Sequence, residues 1–567
     1  VFIYAASTFA ATTQPNVILI MTDDQGYGDI SAHGNTEIST PNIDALHAQS
    51  VRLTNFHVSP SCSPSRSALL TGRHNLRVGV WHTIRGRCLL RADETTLGDI
   101  FSENGYSTGL FGKWHLGESY PFRPNDRGFQ ETVWHGCGAP GQTSDYWGND
   151  YYDDTYWRNN VPEKFEGYCT DIWFEEALDF IERKKDEPFF CYIPTNAPHE
   201  PFLVDQEYKQ PYVDAGIEEP RATFYGMIAK VDEQIGLLTK KLDELGLSEN
   251  TILIFMTDNG SVAGFKDGKG FNAGMRGIKG SPYDGGHRVP FYIRWPKGGL
   301  AHGTDFNQIT AHLDIAPTLI DLCNLEYTQK KPFDGISLAG LLKDTVPDEW
   351  DRTLFVGTQR VDIPIKWRHT AAMSQQWRLV RGEELYDIEK DPGQQNDIAA
   401  DHPDVVQKLN ADHDVWWASV SEHFDVPARV IIGSDQANPT DINCHDLRSK
   451  EVASIPWKQQ LMRDGVAAIG FWSIDVAQPG TYQFTLRRWP SHLNTPLTAA
   501  RENGTALNIT QAKIRIGDQT QSKPVTDDMI GAMFQIDLPQ GPTQLQTWFT
   551  QKNGETTNAY FIQVQRL

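Results

Sequence analysis

The chain has 567 residues, 39% of them hydrophobic and 22% charged, and 51 Lys+Arg against 73 Asp+Glu give a formal charge of −22. That length supports two or three domains with large cores. The acidic balance excludes nucleic acid as a partner and long-range attraction of an anionic polymer, so any anionic substrate has to be held by a local basic site.

The first eleven residues, Val-Phe-Ile-Tyr-Ala-Ala-Ser-Thr-Phe-Ala-Ala, look like the end of an apolar signal core followed by small residues suited to cleavage. They are too few to span a bilayer. Residues 1–14 are therefore expected to be a signal-peptide remnant, and the protein to be secreted or periplasmic, without a transmembrane segment. Next comes the apolar run Asn16-Val-Ile-Leu-Ile-Met-Thr, a buried strand that stops at Asp23-Asp24. From Ala45 to Ala92 the chain has no Asp or Glu, but it has Arg52, Arg66, Arg73, Arg77, Arg85, Arg87 and Arg91. Within this basic run lies Cys62-Ser-Pro-Ser-Arg-Ser-Ala-Leu-Leu-Thr-Gly-Arg73. Ser63 can cap a helix whose first position is Pro64, with Gly72 available to end it. Cys62 would then sit at a helix N-terminus, where free N–H groups favour an oxyanion and Arg66 adds charge.

Three further apolar runs end in polar residues. Ser107-Thr-Gly-Leu-Phe-Gly stops at Lys113-Trp-His115, Phe189-Phe-Cys-Tyr-Ile leads to Asn196-Ala-Pro-His199, and Thr251-Ile-Leu-Ile-Phe-Met-Thr stops at Asp258-Asn259. Short apolar runs between helical segments predict an α/β domain with a mostly parallel sheet flanked by helices, whose ligand crevice lies at the carboxyl ends of the strands. Asp23, Asp24, Asp258 and Asn259 are hard oxygen donors that suit Ca²⁺ or Mg²⁺, with Ca²⁺ favoured by so protein-rich a set. The segment 142–157, dense in aromatics and carboxylates, reads as a loop at the site rim. Its Tyr146, Trp147, Asp153 and Asp154 are candidate sugar contacts, with an ordinary structural loop as the alternative. Residues 346–426 suggest a small antiparallel subdomain with a closing helix. Residues 427–567 alternate like a β-sandwich that either binds carbohydrate or buttresses the catalytic unit at 15–345.

The Cys-x-Pro-x-Arg and Leu-Thr-Gly-Arg elements together resemble the maturation signature of the formylglycine-dependent sulfatases, members of the alkaline-phosphatase superfamily. The similarity spans roughly residues 15–425. It implies an alkaline-phosphatase-like fold and conversion of Cys62 to a formylglycine aldehyde by a formylglycine-generating or sulfatase-maturing enzyme. It also implies a divalent cation on Asp23, Asp24, the residue at position 62, Asp258 and Asn259. Gly112-Lys-Trp-His-Leu-Gly looks like the family's lysine–histidine segment, Ala197-Pro-His199 like its sulfate-contacting histidine, and Arg276-Gly-Ile-Lys279-Gly like its late lysine segment. Asp284 stands where Glu is commoner.

On this reading the hydrated aldehyde attacks sulfur and later re-forms to expel sulfate. Arg66, Lys113 and Lys279 hold the developing charge, His199 protonates the leaving oxygen and His115 acts as the base, the two histidine roles being interchangeable from sequence, with Arg73 and Arg66 steadying the diol and its helix. With Cys62 consumed, six cysteines remain, of which one or two pairs are candidates for disulfides, while Cys191 and Cys323 look like core residues. The expected substrate is a sulfated carbohydrate or an aryl sulfate. Two other readings stay open from sequence: a phosphonate monoester or phosphodiester hydrolase of the same superfamily, and an inactive sulfated-glycan binding protein.

Overall fold

Five parallel strands form the centre of a ten-stranded sheet, in the order Thr251–Thr257, Asn16–Thr22, Phe189–Pro194, Ser107–Lys113 and Glu131–His135. The structure is a computed structural model describing residues 14–328, 331–345, 350–449 and 455–567; the expected signal remnant, apart from residue 14, lies outside the described residues. Antiparallel neighbours, Phe291–Arg294 on one side and Thr155–Arg158 on the other, make the sheet mixed.

The central strands read as unbroken apolar runs because helices cover both faces. Val17, Leu19 and Met21 point into one core with Leu69 and Leu70 of helix Cys62–Thr71, Leu97 and Phe101 of Leu97–Glu103, and Leu319 of Ile315–Cys323. The alternate residues Ile18 and Ile20 enter a second core with Phe174 and Ile181 of helix Cys169–Lys184 and Met227 and Ile235 of Arg221–Glu244. Strand alternation sorts one sequence run between two cores.

Register then sets the site. Thr22 lies opposite Thr257, and Met21 opposite both Met256 and Pro194. Asp23, Asp258 and the turn leading to His199 therefore leave the sheet at one level.

The helix at Cys62 differs from expectation at its start. Ser61, not Ser63, is the N-cap, and the helix runs Cys62–Thr71 with Pro64 inside its first turn. Proline fits there because the first-turn N–H groups have no intrahelical partner to lose. Gly72 ends the helix in the left-handed region at φ 63, as expected.

The strands Leu354–Gly357, Thr370–Met373, Trp377–Val380 and Glu384–Asp387 form an antiparallel sheet, and helix Pro403–Ser421 follows it. Beyond residue 429, a sheet containing Trp472–Val476, Gly541–Gln551 and Ile509–Ile516 faces another containing Gly480–Arg487, Phe561–Arg566 and Ala532–Leu538. Both contribute to one core, which also takes in Cys88, Leu89, Phe122 and Trp147 from the α/β unit. The sandwich is thus fused to the α/β unit by shared apolar packing. All seven cysteines are buried and unpaired, which corrects the expectation of disulfides, and Cys191 and Cys323 are core residues as expected. Among the described residues no helix is long and apolar enough to cross a membrane.

Candidate active site

A cavity of about 310 Å³ opens above Cys62, and its walls include His115, His199 and Lys279. Beneath it lie Asp23, Asp24, Asp258 and Asn259, all fully buried at the strand ends. The Lys113 ammonium donates to Asp23 Oδ2 and the Lys279 ammonium to Asp24 Oδ1. Arg66 grips Asp258 Oδ2 through Nη2 at 2.9 Å and Nε at 3.2 Å, and its Nη1 donates to the Lys113 carbonyl at 3.3 Å. The Asp24 amide donates to Asp258 Oδ1 at 3.2 Å, and Asn259 Nδ2 to Asp24 Oδ1 at 2.9 Å.

Two oxygens are left over. Asp23 Oδ1 and Asn259 Oδ1 are buried, accept only, and have no hydrogen-bond partner among the described residues. Burial, reinforced by Asp258, pushes the Asp23 carboxyl well above its ordinary range. Burial pushes Asp24 up as well, but Lys279, His199 and Lys113 outweigh it and hold that carboxyl far down. Cys62 Sγ and an oxygen from each of Asp23 and Asp258 lie within 4.8 Å of one another, as do Sγ, an Asp24 oxygen and a His199 ring nitrogen. Unsatisfied hard oxygens around one point, in a place that disfavours bare carboxylate, fit a divalent cation.

The two histidines are fixed by hydrogen bonds that sort their ring nitrogens. His115 Nε2 meets the Thr83 carbonyl at 3.0 Å, so this nitrogen carries the proton and buried Nδ1 keeps a bare lone pair. Burial and then Lys113 push its pKa well down. His199 Nδ1 meets the Glu200 carbonyl at 2.6 Å, and Nε2 lies 3.7 Å from Asp24 Oδ2. Burial pushes His199 down to about 4 despite the neighbouring Asp24. Tyr151 donates to the His199 carbonyl at 2.6 Å, and Asn196 Oδ1 accepts from Trp173 at 2.8 Å, so Asn196 braces the turn and does not enter the cavity. Burial also raises the Cys62 thiol, which makes an unmodified cysteine here a weak nucleophile.

The arginine run does not surround the cysteine. Arg52, Arg73, Arg77 and Arg87 pair with Asp305, Glu94, Asp334 and Asp362, and Arg91 bonds Glu94. Arg66 reaches the buried carboxylates, whereas Arg73, paired with Glu94 and bonded to the Pro332 carbonyl, braces a loop instead of steadying the reacting group. The four rim candidates are not brought to Cys62 either. Trp147 is buried edge-on against Trp489, with Nε1 donating to Glu502. Asp153 accepts from the Gly167 amide, and Asp154 from Tyr156 and the Asp150 amide. Tyr146 stacks on His492 at 4.2 Å in a neighbouring cleft of about 460 Å³. Gln142, which opens the segment expected at the rim, lines the Cys62 cavity, and the lining residues that sequence reasoning missed include His82, Arg360 and Trp457. No local pattern marks these three, because they arrive from separate loops.

Residues 15–325 match the Sulfatase family model, and residues 279–413 match the model described as N-sulphoglucosamine sulphohydrolase, C-terminal. The chain belongs to the sulfatase family. The Ulvan-active sulfatase of Formosa agariphila is 29% identical over 424 residues, covering 68% of this chain and 77% of that one. Arylsulfatase G of Mus musculus is 31% identical over 371 residues, 58% of this chain and 69% of that protein. Among solved structures, Ps i-CgsB in complex with k-i-k-neocarrahexaose superposes with a TM-score of 0.64 at 28% identity, covering 71% of this chain and 93% of that one. As a formylglycine-type sulfatase the chain is a hydrolase with a site able to hold a divalent metal.

Proposed function

We propose that this sulfatase is exported to the periplasm or outside the cell and removes sulfate from a carbohydrate monoester. It does so with a formylglycine made from Cys62 by a maturing enzyme and with Ca²⁺ held by Asp23, Asp24, Asp258, Asn259 and position 62. The observation that carries this reading is the placing of Cys62 where the cavity floor meets the oxygen cluster, with Lys279, His115 and His199 around it. Three carboxylates and a carboxamide suit Ca²⁺, which accepts many protein oxygens, better than Mg²⁺, which keeps its waters. When bound, the cation supplies Lewis-acid charge stabilisation, and the hydrated aldehyde supplies the attacking hydroxyl.

The chain's own residues do the remainder. Lys279 and Lys113 place two ammonium groups against the carboxylates and the sulfuryl oxygens, and Arg66 fixes Asp258. His115 accepts a proton at its bare Nδ1. His199, anchored through Nδ1, faces Asp24 with Nε2, and the negative charge of an entering sulfate ester favours the imidazolium that protonates the leaving oxygen. A carbohydrate substrate is supported by the named activities of the relatives and by aromatic side chains at both openings, Trp457 at the cavity and Trp134, Tyr146 and Trp157 in the adjoining cleft.

Mass spectrometry of the peptide spanning residues 52–73 is expected to show an aldehyde in place of the Cys62 thiol. Sulfatase activity retained by Cys62→Ala would sink the scheme. Desulfation of a panel of sulfated oligosaccharides, read by NMR, identifies the sugar and position. Aryl sulfate assayed beside aryl phosphonate, with and without Ca²⁺, tests the chemistry.

A further inference from the structure

A second buried cluster of metal-type side chains lies where the sandwich meets the catalytic unit, outside the site described above. Cys88 comes from the end of the arginine run, Glu118 and Cys137 from loops after the central strands, and His445 and Asp446 from the sandwich. Cys88, Cys137, His445 and Asp446 are all buried. Cys88 Sγ lies 3.8 Å from His445 Nδ1, and the same nitrogen lies 3.8 Å from Asp446 Oδ1. The three donor atoms are all within 4.8 Å of one another. In a tetrahedral site with Zn–S of about 2.3 Å and Zn–N or Zn–O of about 2.0 Å, ligand atoms stand roughly 3.5 Å apart. The triangle is therefore slightly wider than an occupied one.

The cluster is also unsatisfied. Both Asp446 oxygens, Glu118 Oε2 and His445 Nε2 are buried without a hydrogen-bond partner among the described residues. His445 is the only positive partner of Asp446 among the described ion pairs. The other buried histidine–carboxylate group, His57, Asp284 and His287, differs because Arg378 supplies its positive charge at 3.0 Å from Asp284. Cys137 holds its backbone in the left-handed region at φ 62, with its amide on Glu118 Oε1 at 2.7 Å.

We propose that Cys88, His445 and Asp446 bind a zinc ion that fastens the sandwich to the catalytic unit. Thiolate, imidazole and carboxylate together select Zn²⁺, whereas the all-oxygen set beneath Cys62 selects a hard cation. Binding displaces the thiol proton of Cys88, so zinc uptake releases a proton. The site stands beside the catalytic machinery. The His445 and His115 rings are 6.4 Å apart, and the Arg85 and Gly86 amides, next to the cavity residues Thr83 and Ile84, donate to the His445 carbonyl at 2.9 and 3.3 Å.

Elemental analysis of the purified full chain tests this directly. About one zinc per chain is expected in addition to the hard cation. Cys88→Ser and His445→Ala should lower zinc content at least about tenfold, while Asn259→Ala, in the other site, leaves it unchanged. Because the first two variants also stress the interface, unsubstituted protein is stripped with chelator and dialysed against ZnCl₂, and Co²⁺ substitution is checked for a thiolate charge-transfer band. Zinc uptake with that band supports the site. Failure of the unsubstituted protein to take up zinc, full zinc content in Cys88→Ser, or a Cys88–Cys137 disulfide in non-reduced peptides overturns it.

Discussion

Gly138 offers a clean test of where His115 acts. A Cβ built there lies 2.7 Å from His115 Cε1, 3.2 Å from its Nδ1 and 2.9 Å from Gln142 Oε1, against ordinary carbon contacts of about 3.5–4.0 Å. The Gln142 amide is the far end of a flexible side chain and can turn away. His115 has no such freedom, because its ring is bonded to the Thr83 carbonyl and buried, and its backbone is held at φ 59. Gly138→Ala therefore moves the imidazole by about 1 Å. A displacement of that size costs on the order of 10²-fold in rate, or about 2.7 kcal/mol of barrier. The assay is kcat/KM on an aryl sulfate, with aldehyde and cation content measured in the same preparations. In a His115→Ala background, adding Gly138→Ala should cost almost nothing, since the group it displaces is gone. Activity of Gly138→Ala within about twofold of the parent, or an undiminished loss in the His115→Ala background, refutes the placing of His115 at the reaction.

Asn259→Ala removes one of the two unpartnered oxygens and should raise the Ca²⁺ concentration needed for half-maximal activity by about tenfold or more, read by titrating chelated enzyme, with Mg²⁺ a poorer substitute. Burial pushes the Asp29 carboxyl up to about 7, against opposing hydrogen bonds from Ser261 and the Gly26 amide. An unfolded Asp titrates near 3.9, about three units lower. The folded state thus keeps a proton that the unfolded state releases. The Asp29 contribution to stability therefore falls as pH rises from about 4 to about 7, by at most about 1.4 kcal/mol per unit, and levels off above that, while buried histidines held at about 4, such as His33 and His74, contribute in the opposite sense up to about 6.5. The urea midpoint of Asp29→Asn minus that of the parent should therefore rise across this range. Trp457→Ala should raise KM for a sulfated oligosaccharide about fivefold, the equivalent of about 1 kcal/mol of aromatic contact, and change aryl sulfate turnover little; equal effects on both substrates count against a sugar-facing role.

The buried strands and the chemistry at their ends were legible because a doubly covered strand is an unbroken apolar run, so a pair such as Asp23-Asp24 or Asp258-Asn259 marks where it leaves the core. Register was not legible. The pairing of Thr22 with Thr257 and of Met21 with Pro194, which brings those ends to one level, depends on contacts between strands far apart in sequence. The arginine run misled for the same reason: its partners Glu94, Asp305, Asp334 and Asp362 lie outside the acid-free window, three of them by more than two hundred residues. Trp457 escaped notice because it belongs to the sandwich. Backbone and side-chain bonds around it show how it is held: the Trp457 carbonyl accepts the Thr143 amide at 3.1 Å, and Gln459 bonds the carbonyls of Gln142 and Tyr146. The aromatic loop is thus pinned to the sandwich, with Tyr146 and Trp157 left lining the adjoining cleft.

Two consecutive carboxylates at a strand end raise a geometric difficulty, because successive side chains of a strand point to opposite faces. Asp23 and Asp24 can serve one ion only if the chain leaves the extended conformation between them. Asp24 does so at φ 68, a left-handed conformation that costs an L-residue roughly 1–2 kcal/mol. Its amide then turns onto Asp258 Oδ1 and its carboxylate onto Lys279 and Asn259. His115, two residues beyond the end of its own strand run at Lys113, makes the same left-handed excursion. Strain of this kind persists only where surrounding contacts over-determine it. Both residues have those contacts: the Asp24 carboxylate is held from two directions, and the His115 ring is trapped between the Thr83 carbonyl and Gly138. The absence of a side chain at Gly138 and the left-handed turns at Asp24 and His115 are thus parts of one arrangement, in which parallel strands deliver side chains that regular β geometry alone would direct elsewhere.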